Sequence, residues 1–279
     1  LLIVNLLLVI SGRMSASLNT HLPERIVIVR HGDRLDREQK EWAYGAPRPH
    51  DTPLSEKGKG AAFALGDYLR SARMVSPTEV VILSSPLVRC VETSHGIAEG
   101  LCAMTKDMLP QIPIYIENSL CEGAYWITQD AVRNRRLRGD LFPPLPVYYS
   151  STHHAQHTSP LVRPAASQPF SSLGPSPKFV KTLDDKLKEE PHVTERCSLG
   201  VQGLLNCNAF SKKTVICVGH GETTSLWASC LSGTQVGENS WYTGFMEFMP
   251  QPVISTDRAD GEKRNERGDG WVWLSQGQR

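Results

Sequence analysis

The 279-residue sequence has almost no excess charge of either sign: 30 lysines and arginines stand against 29 acids. So even a balance argues against bulk electrostatic attraction to nucleic acid or a membrane surface, and leaves any anion to be held by locally placed arginines. No Cys-x-x-Cys occurs. The seven cysteines, at 90, 102, 121, 197, 207, 217 and 230, are odd in number and scattered. This argues against a disulfide framework and for free thiols in a reducing, cytoplasmic compartment. The lack of any Asn-x-Ser/Thr sequon agrees. No apolar run reaches bilayer length. Leu1 to Ile10 is about half the roughly 20 residues a span needs, and it lacks the basic flank of a complete signal peptide. Residues 1–13 therefore read as an upstream extension or the tail of a leader, and residues 1–24 as an N-terminal extension outside the core. There are no internal repeats.

What is present is enough for one large core: 40% of the residues are hydrophobic, and a chain of this length can bury them in a single domain, expected over 25–279. The stretch Arg25-Ile26-Val27-Ile28-Val29-Arg30-His31-Gly32-Asp33-Arg34 organises the reading. Its first half is a β-branched apolar run too short for a helix, the pattern of a strand buried on both faces. It stops on arginine, histidine and glycine, at the strand end where open α/β sheets bind ligands. An arginine there offers a planar fork for phosphate or carboxylate. The histidine, with an ordinary pKa of about 6.5, can act as nucleophile or proton carrier near neutrality. The glycine would let a bulky anion approach the backbone. A second strand, Thr214 to Val218, ends the same way, on Gly219-His220-Gly221-Glu222. Two buried strands that each deliver a histidine followed by a glycine point to chemistry rather than packing.

Between them, Ser55 reads as the N-cap of a helix running to about Ala72. Val80 to Leu83 is a buried strand leading into Ser84-Ser85-Pro86-Leu87-Val88-Arg89, where the proline marks a helix start and Arg89 falls in the first turn. Ile114 to Ile116 is a short strand, followed by two candidate acids, Glu117 and Glu122. The basic run Arg133 to Arg138 reads as a solvated face. From Pro143 to Pro177 the composition changes: the window holds eight of the nineteen prolines, and no acid lies between Asp140 and Asp184. It reads as an irregular Pro/Ser insertion hanging off the core, with His153, His154 and His157 incidental and no metal site implied. Helices are expected at 179–189, 193–210 and 223–231, and sheet edges at 244–249 and 271–274. The Arg-Gly-Asp tripeptides at 138 and 267 are treated as chance. Strands alternating with helices predict a doubly wound, mostly parallel α/β domain.

Five ordered motifs resemble the histidine phosphatase superfamily, the phosphoglycerate-mutase-like proteins: Arg30-His31-Gly32, Pro53-Leu54-Ser55-Glu56-x-Gly58, Ser84-Ser85-Pro86-Leu87-x-Arg89-x-x-x-Thr93, Leu120-x-Glu122, and Gly219-His220-Gly221. The resemblance covers about Arg25 to Leu231 and implies a metal-independent, cofactor-free phosphomonoester hydrolase. His31 would attack phosphorus and form a phosphohistidine. Arg30, Arg89 and His220 would hold the phosphoryl oxygens, with Arg34 a third guanidinium. One branch of the superfamily places an aspartate directly after the second histidine. Gly221 stands there, so the chain resembles the branch whose acid matches Glu122, with Glu117 and Glu222 as stand-ins. Ala61, where many members carry glutamine, is a departure without catalytic weight. Glycolytic mutases carry a Ser-x-x-Asn segment after Arg-His-Gly, whereas Asp33-Arg34-Leu35-Asp36 occurs here. The Arg-His-Gly-x-Arg form is instead similar to the phosphatase domain of ubiquitin-associated and SH3-containing signalling proteins. The implied partner is a phosphorylated small molecule or phosphopeptide. A mutase, or an idle member that only binds phospholigands, are the alternatives.

Overall fold

Four runs of β-branched and aliphatic residues, each too short for a helix, make the parallel half of one sheet: β1 (Arg25–Arg30), β2 (Val80–Ser84), β3 (Ile114–Ile116) and β4 (Thr214–Gly219). In the computed structural model, which describes residues 21–46, 51–105, 107, 112–123, 159–163, 193–237, 241–250 and 271–277, two antiparallel strands complete it. These are β5 (Phe245–Pro250) and β6 (Trp271–Gly277), and the strand order is β3-β2-β4-β1-β5-β6. Parallel neighbours need crossovers, and helices supply them on both faces. The expected doubly wound, mostly parallel architecture is the one observed.

Side chains alternate across the strands and sort the core into two halves. Val27, Val29, Ile82, Ile216 and Val218 face Leu65 and Leu69 of α1 (Glu56–Ala72) and Val91, Ile97 and Leu101 of α2 (Val88–Leu101). Ile26, Ile28, Leu83, Val215 and Cys217 face Val201 and Leu204 of α3 (Val193–Leu205) and Trp227 and Leu231 of α4 (Gly221–Ser232). A large aliphatic or aromatic side chain contributes about 1.5–3 kcal/mol when fully buried. α1 and α2 pack through glycine: a Cβ at Gly66 would lie 2.1 Å from the Ile97 carbonyl oxygen, and one at Gly100 2.1 Å from that of Phe63.

Several expectations shift. α2 begins at Val88, two residues beyond Pro86, because the Asp51 Oδ1 accepts from the Val88 N–H at 2.8 Å and caps the helix from a distant loop. The helix expected over 193–210 ends at Leu205, where Asn206, Cys207 and Asn208 are poor helix formers, and a 3₁₀ turn spans Asn208–Phe210. The N-terminal boundary lies before residue 25. Glu24 N–H donates to the Lys213 carbonyl, Lys212 N–H donates to that of Leu22, and Leu22 packs on the core. The Pro/Ser insertion does not simply hang free: Leu161 and Val162 are buried, and Val162 bridges Ile114 in parallel at the β3 edge. An apolar pair in a polar stretch gains by joining the sheet. The insertion outside 159–163, its three histidines, the Arg133 run, the 179–189 helix, both Arg-Gly-Asp tripeptides and residues 1–20 lie outside the described residues. Among the described residues no helix is long and apolar enough to cross a membrane.

Candidate active site

Register brings the chemistry-bearing strand ends into line. Arg30 is opposite Gly219, and Ser84 is opposite Val218. The next residues, His31, His220 and Ser85, therefore emerge side by side, pinned by His31 N–H to the Gly219 carbonyl and Ser85 N–H to that of Val218, both at 2.9 Å. The two imidazoles meet edge to face with centroids 5.2 Å apart.

The His31 ring is oriented by its own loop. Its Nδ1 is 2.9 Å from the Gly32 carbonyl oxygen, which can only accept, so Nδ1 carries the proton and Nε2 carries the lone pair. Burial, followed by the nearby Arg89 charge, pushes its pKa well below the ordinary value, against the opposing effect of that backbone hydrogen bond. The ring is thus neutral near pH 7, as a nucleophile must be. Gly32 serves this loop differently from the expected anion approach. A Cβ there would lie 2.8 Å from the Gly58 carbonyl oxygen, and one at Gly58 would lie 2.3 Å from that of Asp33. The loop and the start of α1 touch backbone to backbone. Ser55 Oγ caps that start by accepting from Gly58 N–H at 3.1 Å. Thr93 ties the loop to α2, accepting from Gly32 N–H at 3.0 Å and donating to the Arg89 carbonyl at 2.7 Å.

His220 is also buried and neutral, its pKa pushed well down by burial and then by Arg89. Its Nδ1 is 3.4 Å from Arg89 Nη2, which can only donate, so Nε2 carries the proton toward Ser85 Oγ at 3.0 Å. A hydroxyl both donates and accepts. Ser85 can therefore support either tautomer, including the one in which Nδ1–H points at a bound oxyanion.

Arg89 is fully buried, and its Nη2 donates to Glu122 Oε2 at 2.5 Å. The same carboxylate oxygen is 3.8 Å from His220 Nδ1. The structure therefore brings His31, His220, Arg89 and Glu122 into one cup. Arg30 and Arg34 also lower the pKa of both histidines through their charge. Arg34 makes a buried two-point pair with Asp36, Nε at 3.0 Å and Nη2 at 2.7 Å. Of the stand-in acids, Glu117 turns its buried carboxylate back to the Ser119 N–H at 2.8 Å, and Glu222 lies in the first turn of α4. The acid loop is held from beneath: Arg196 Nη1 donates to the Asn118 and Ser119 carbonyls, both at 2.9 Å. Thr223 accepts from His220 N–H at 3.2 Å and donates to the Leu120 carbonyl at 3.0 Å.

Cys90 Sγ is 3.4 Å from His220 Nε2, yet burial pushes its thiol far above the ordinary range, and that of Cys121 up to about 12. Both stay protonated, so neither competes as a nucleophile. All seven cysteines are free. Among the described residues no group of three or more His, Cys, Asp or Glu is placed to hold a metal.

Reading the sequence missed four contributors. Ser85 lies within the Ser84–Thr93 motif with no role of its own to read, Asp51 just before the Pro53–Gly58 motif, and Arg196 reads as an ordinary helix charge. Tyr242 carried no signal. Its ring packs against His31 with centroids 5.5 Å apart, and the Arg30 guanidinium lies 4.8 Å over its centre.

Residues 26–124 match the model described as the histidine phosphatase superfamily, branch 1. That segment contains Arg30, His31, Arg34, Arg89 and Glu122, while His220 lies beyond it and is brought in by the fold. No curated protein matches the chain. Among solved structures, the chain is similar to the ecdysone phosphate phosphatase from Bombix mori in complex with tungstate. The identity is 20%, the match covers 90% of this chain and 92% of that one, and the TM-score is 0.56. It is also similar to a phosphoglycerate mutase from Bacillus anthracis, at 12% identity, 92% and 94% coverage and a TM-score of 0.49. A phosphoserine phosphatase from Entamoeba histolytica in complex with 3-phosphoglyceric acid matches at 16% identity, 91% and 97% coverage and a TM-score of 0.45. The first of these likenesses speaks for the fold, which is the phosphoglycerate-mutase-like α/β fold.

Proposed function

We propose that this chain, whose residues 26–124 carry the histidine phosphatase superfamily pattern, hydrolyses phosphomonoesters through a phosphohistidine at His31. The observation that carries the reading is the locked His31 ring: its lone pair on Nε2, its Nδ1 proton donated to the Gly32 carbonyl, and Arg89 and Glu122 within the same buried cup. Phosphoryl transfer needs positioning and charge stabilisation above all. Nε2 would attack phosphorus in line, forming the N–P bond as the ester P–O bond breaks. Arg30 and Arg89 would hold the equatorial oxygens, with His220 donating from Nδ1 once its tautomer shifts. Glu122 would protonate the leaving oxygen, then take a proton from the water that attacks phosphorus and frees His31 and inorganic phosphate. These guanidiniums supply the positive charge, so the proposed reaction uses neither metal nor cofactor. The substrate is a small-molecule or phosphotyrosine-type monoester. The free cysteines fit a cytoplasmic setting.

The test uses p-nitrophenyl phosphate turnover together with rapid-quench trapping of labelled enzyme. The expected result is phosphate release, an acid-labile and base-stable phosphoenzyme, and loss of both in His31→Ala by more than about a thousandfold. Turnover that survives His31→Ala refutes the mechanism. Isomerisation of 3-phosphoglycerate with a bisphosphoglycerate primer and no phosphate release refutes the hydrolase in favour of a mutase.

A further inference from the structure

The turn Trp241–Gly244 precedes β5 and closes with Gly244 N–H donating to the Trp241 carbonyl at 3.0 Å. Its third residue is Thr243, β-branched and buried, at a φ of 54°. Turns place glycine at such a position, because a Cβ there is strained. Strain of this kind persists only where surroundings impose it, and it gathers at functional sites. The surroundings here are the strand end that carries the site. Arg30 N–H donates to the Gly244 carbonyl at 3.0 Å, and Thr243 N–H donates to that of His31 at 3.3 Å. The Thr243 hydroxyl donates to the Tyr242 carbonyl at 2.6 Å. A turn fixed in this way delivers one side chain to the cup, that of Tyr242. The His31 ring is flanked by His220 at 5.2 Å and by Tyr242 at 5.5 Å, while the Arg30 guanidinium rests on the Tyr242 ring at 4.8 Å.

We propose that Tyr242 is a positioning residue for oxyanion binding, its π-face aiming the Arg30 guanidinium and its tilted ring packing against the His31 imidazole. The inference rests on the phosphate-binding reading of the cup but not on turnover. A guanidinium on a flexible stem loses rotamer freedom when it grips an anion. Stacking it beforehand removes part of that loss, and the attraction of a cation to a ring supplies the hold. What matters is the aromatic face, not the phenol hydroxyl and not volume alone. A leucine would fill much of the space and offer no quadrupole.

The experiment measures orthophosphate binding calorimetrically in the full chain, alongside p-nitrophenyl phosphate kinetics. Tyr242→Leu is expected to weaken orthophosphate by about tenfold, and Tyr242→Phe to restore what leucine loses. In an Arg30→Gln background, Tyr242→Leu should change affinity less than about twofold, since the two groups act as a unit. If Tyr242→Leu does not fold, Tyr242→Gln takes its place in both backgrounds. Equal affinity in the wild-type, Phe and Leu chains overturns the proposal, as do additive effects of Tyr242 and Arg30, or no orthophosphate binding by the wild type. Binding that follows this pattern in a chain without turnover upholds Tyr242 and refutes the hydrolase alone.

Discussion

Glu122 accepts from Arg89, and in the proposed reaction it must carry a proton when the ester bond breaks, so the phosphoryl group has to take Arg89 from it. Replacing the acid with an amide keeps the shape and removes the transferable proton. Glu122→Gln should therefore slow alkyl phosphates, whose leaving alkoxides need protonation, by about a hundredfold to ten-thousandfold. p-Nitrophenyl phosphate, whose leaving phenolate does not need it, should fall far less. Steady-state rates across a series of leaving groups check this, and an equal loss on every ester assigns Glu122 another role. The same residue scale shows what was readable from sequence. Arg30, His31 and His220 stand where apolar runs stop abruptly, so burial and chemistry are written next to each other. Arg89 follows a strand by a few residues and was readable for the same reason. Gly32 was noticed for its missing Cβ, but the neighbour that needs the space is the Gly58 backbone, a contact between elements. Tyr242 belongs to a turn whose meaning depends on the pairing of β5 with β1, and nothing local marks it.

At the scale of elements, α1 and α2 separate the two things glycine does. Gly60 lies exposed with nothing near its absent Cβ, so Gly60→Ala should stabilise by about 0.5–1 kcal/mol through helix propensity. Gly100→Ala offers the same propensity gain but drives a methyl into the Phe63 carbonyl, and should cost about 1–3 kcal/mol. Urea titrations of the two variants give opposite shifts in midpoint if the helices pack as described. Element existence was legible: the alternation of short apolar runs with helical periodicity predicts β1 to β4, α1 and α4 nearly to the residue. Boundaries set by distant partners were not. The start of α2 depends on Asp51, and the entry of Leu161 and Val162 into the sheet edge depends on Ile114, neither of which is a neighbour in sequence.

For the whole molecule, the two buried neutral histidines couple folding to pH. Their folded pKa values lie well below the unfolded value of about 6.5, so the unfolded chain binds protons that the native one refuses. Their contribution is complete above pH 6.5 and drains as pH falls below it, by about 1.4 kcal/mol per pH unit for each ring. Chemical denaturation from pH 7.5 to 5 should show stability falling on the acid side. His220→Asn, which cannot take up that proton, should flatten the slope. The acid limb of kcat/KM should likewise lie below pH 6.5, because His31 stays unprotonated there.

The order β3-β2-β4-β1-β5-β6 puts β4, among the last strands made, between two of the earliest. During synthesis, β1 and β2 must wait with the flanks that face each other bare until Thr214–Gly219 emerges and slots between them. Everything upstream is therefore a half-built sheet with an open seam, a ready substrate for chaperones and for self-association. A chain terminated before residue 214 would accumulate as aggregate rather than as a smaller, weaker enzyme, and premature stop codons anywhere in that span should behave alike.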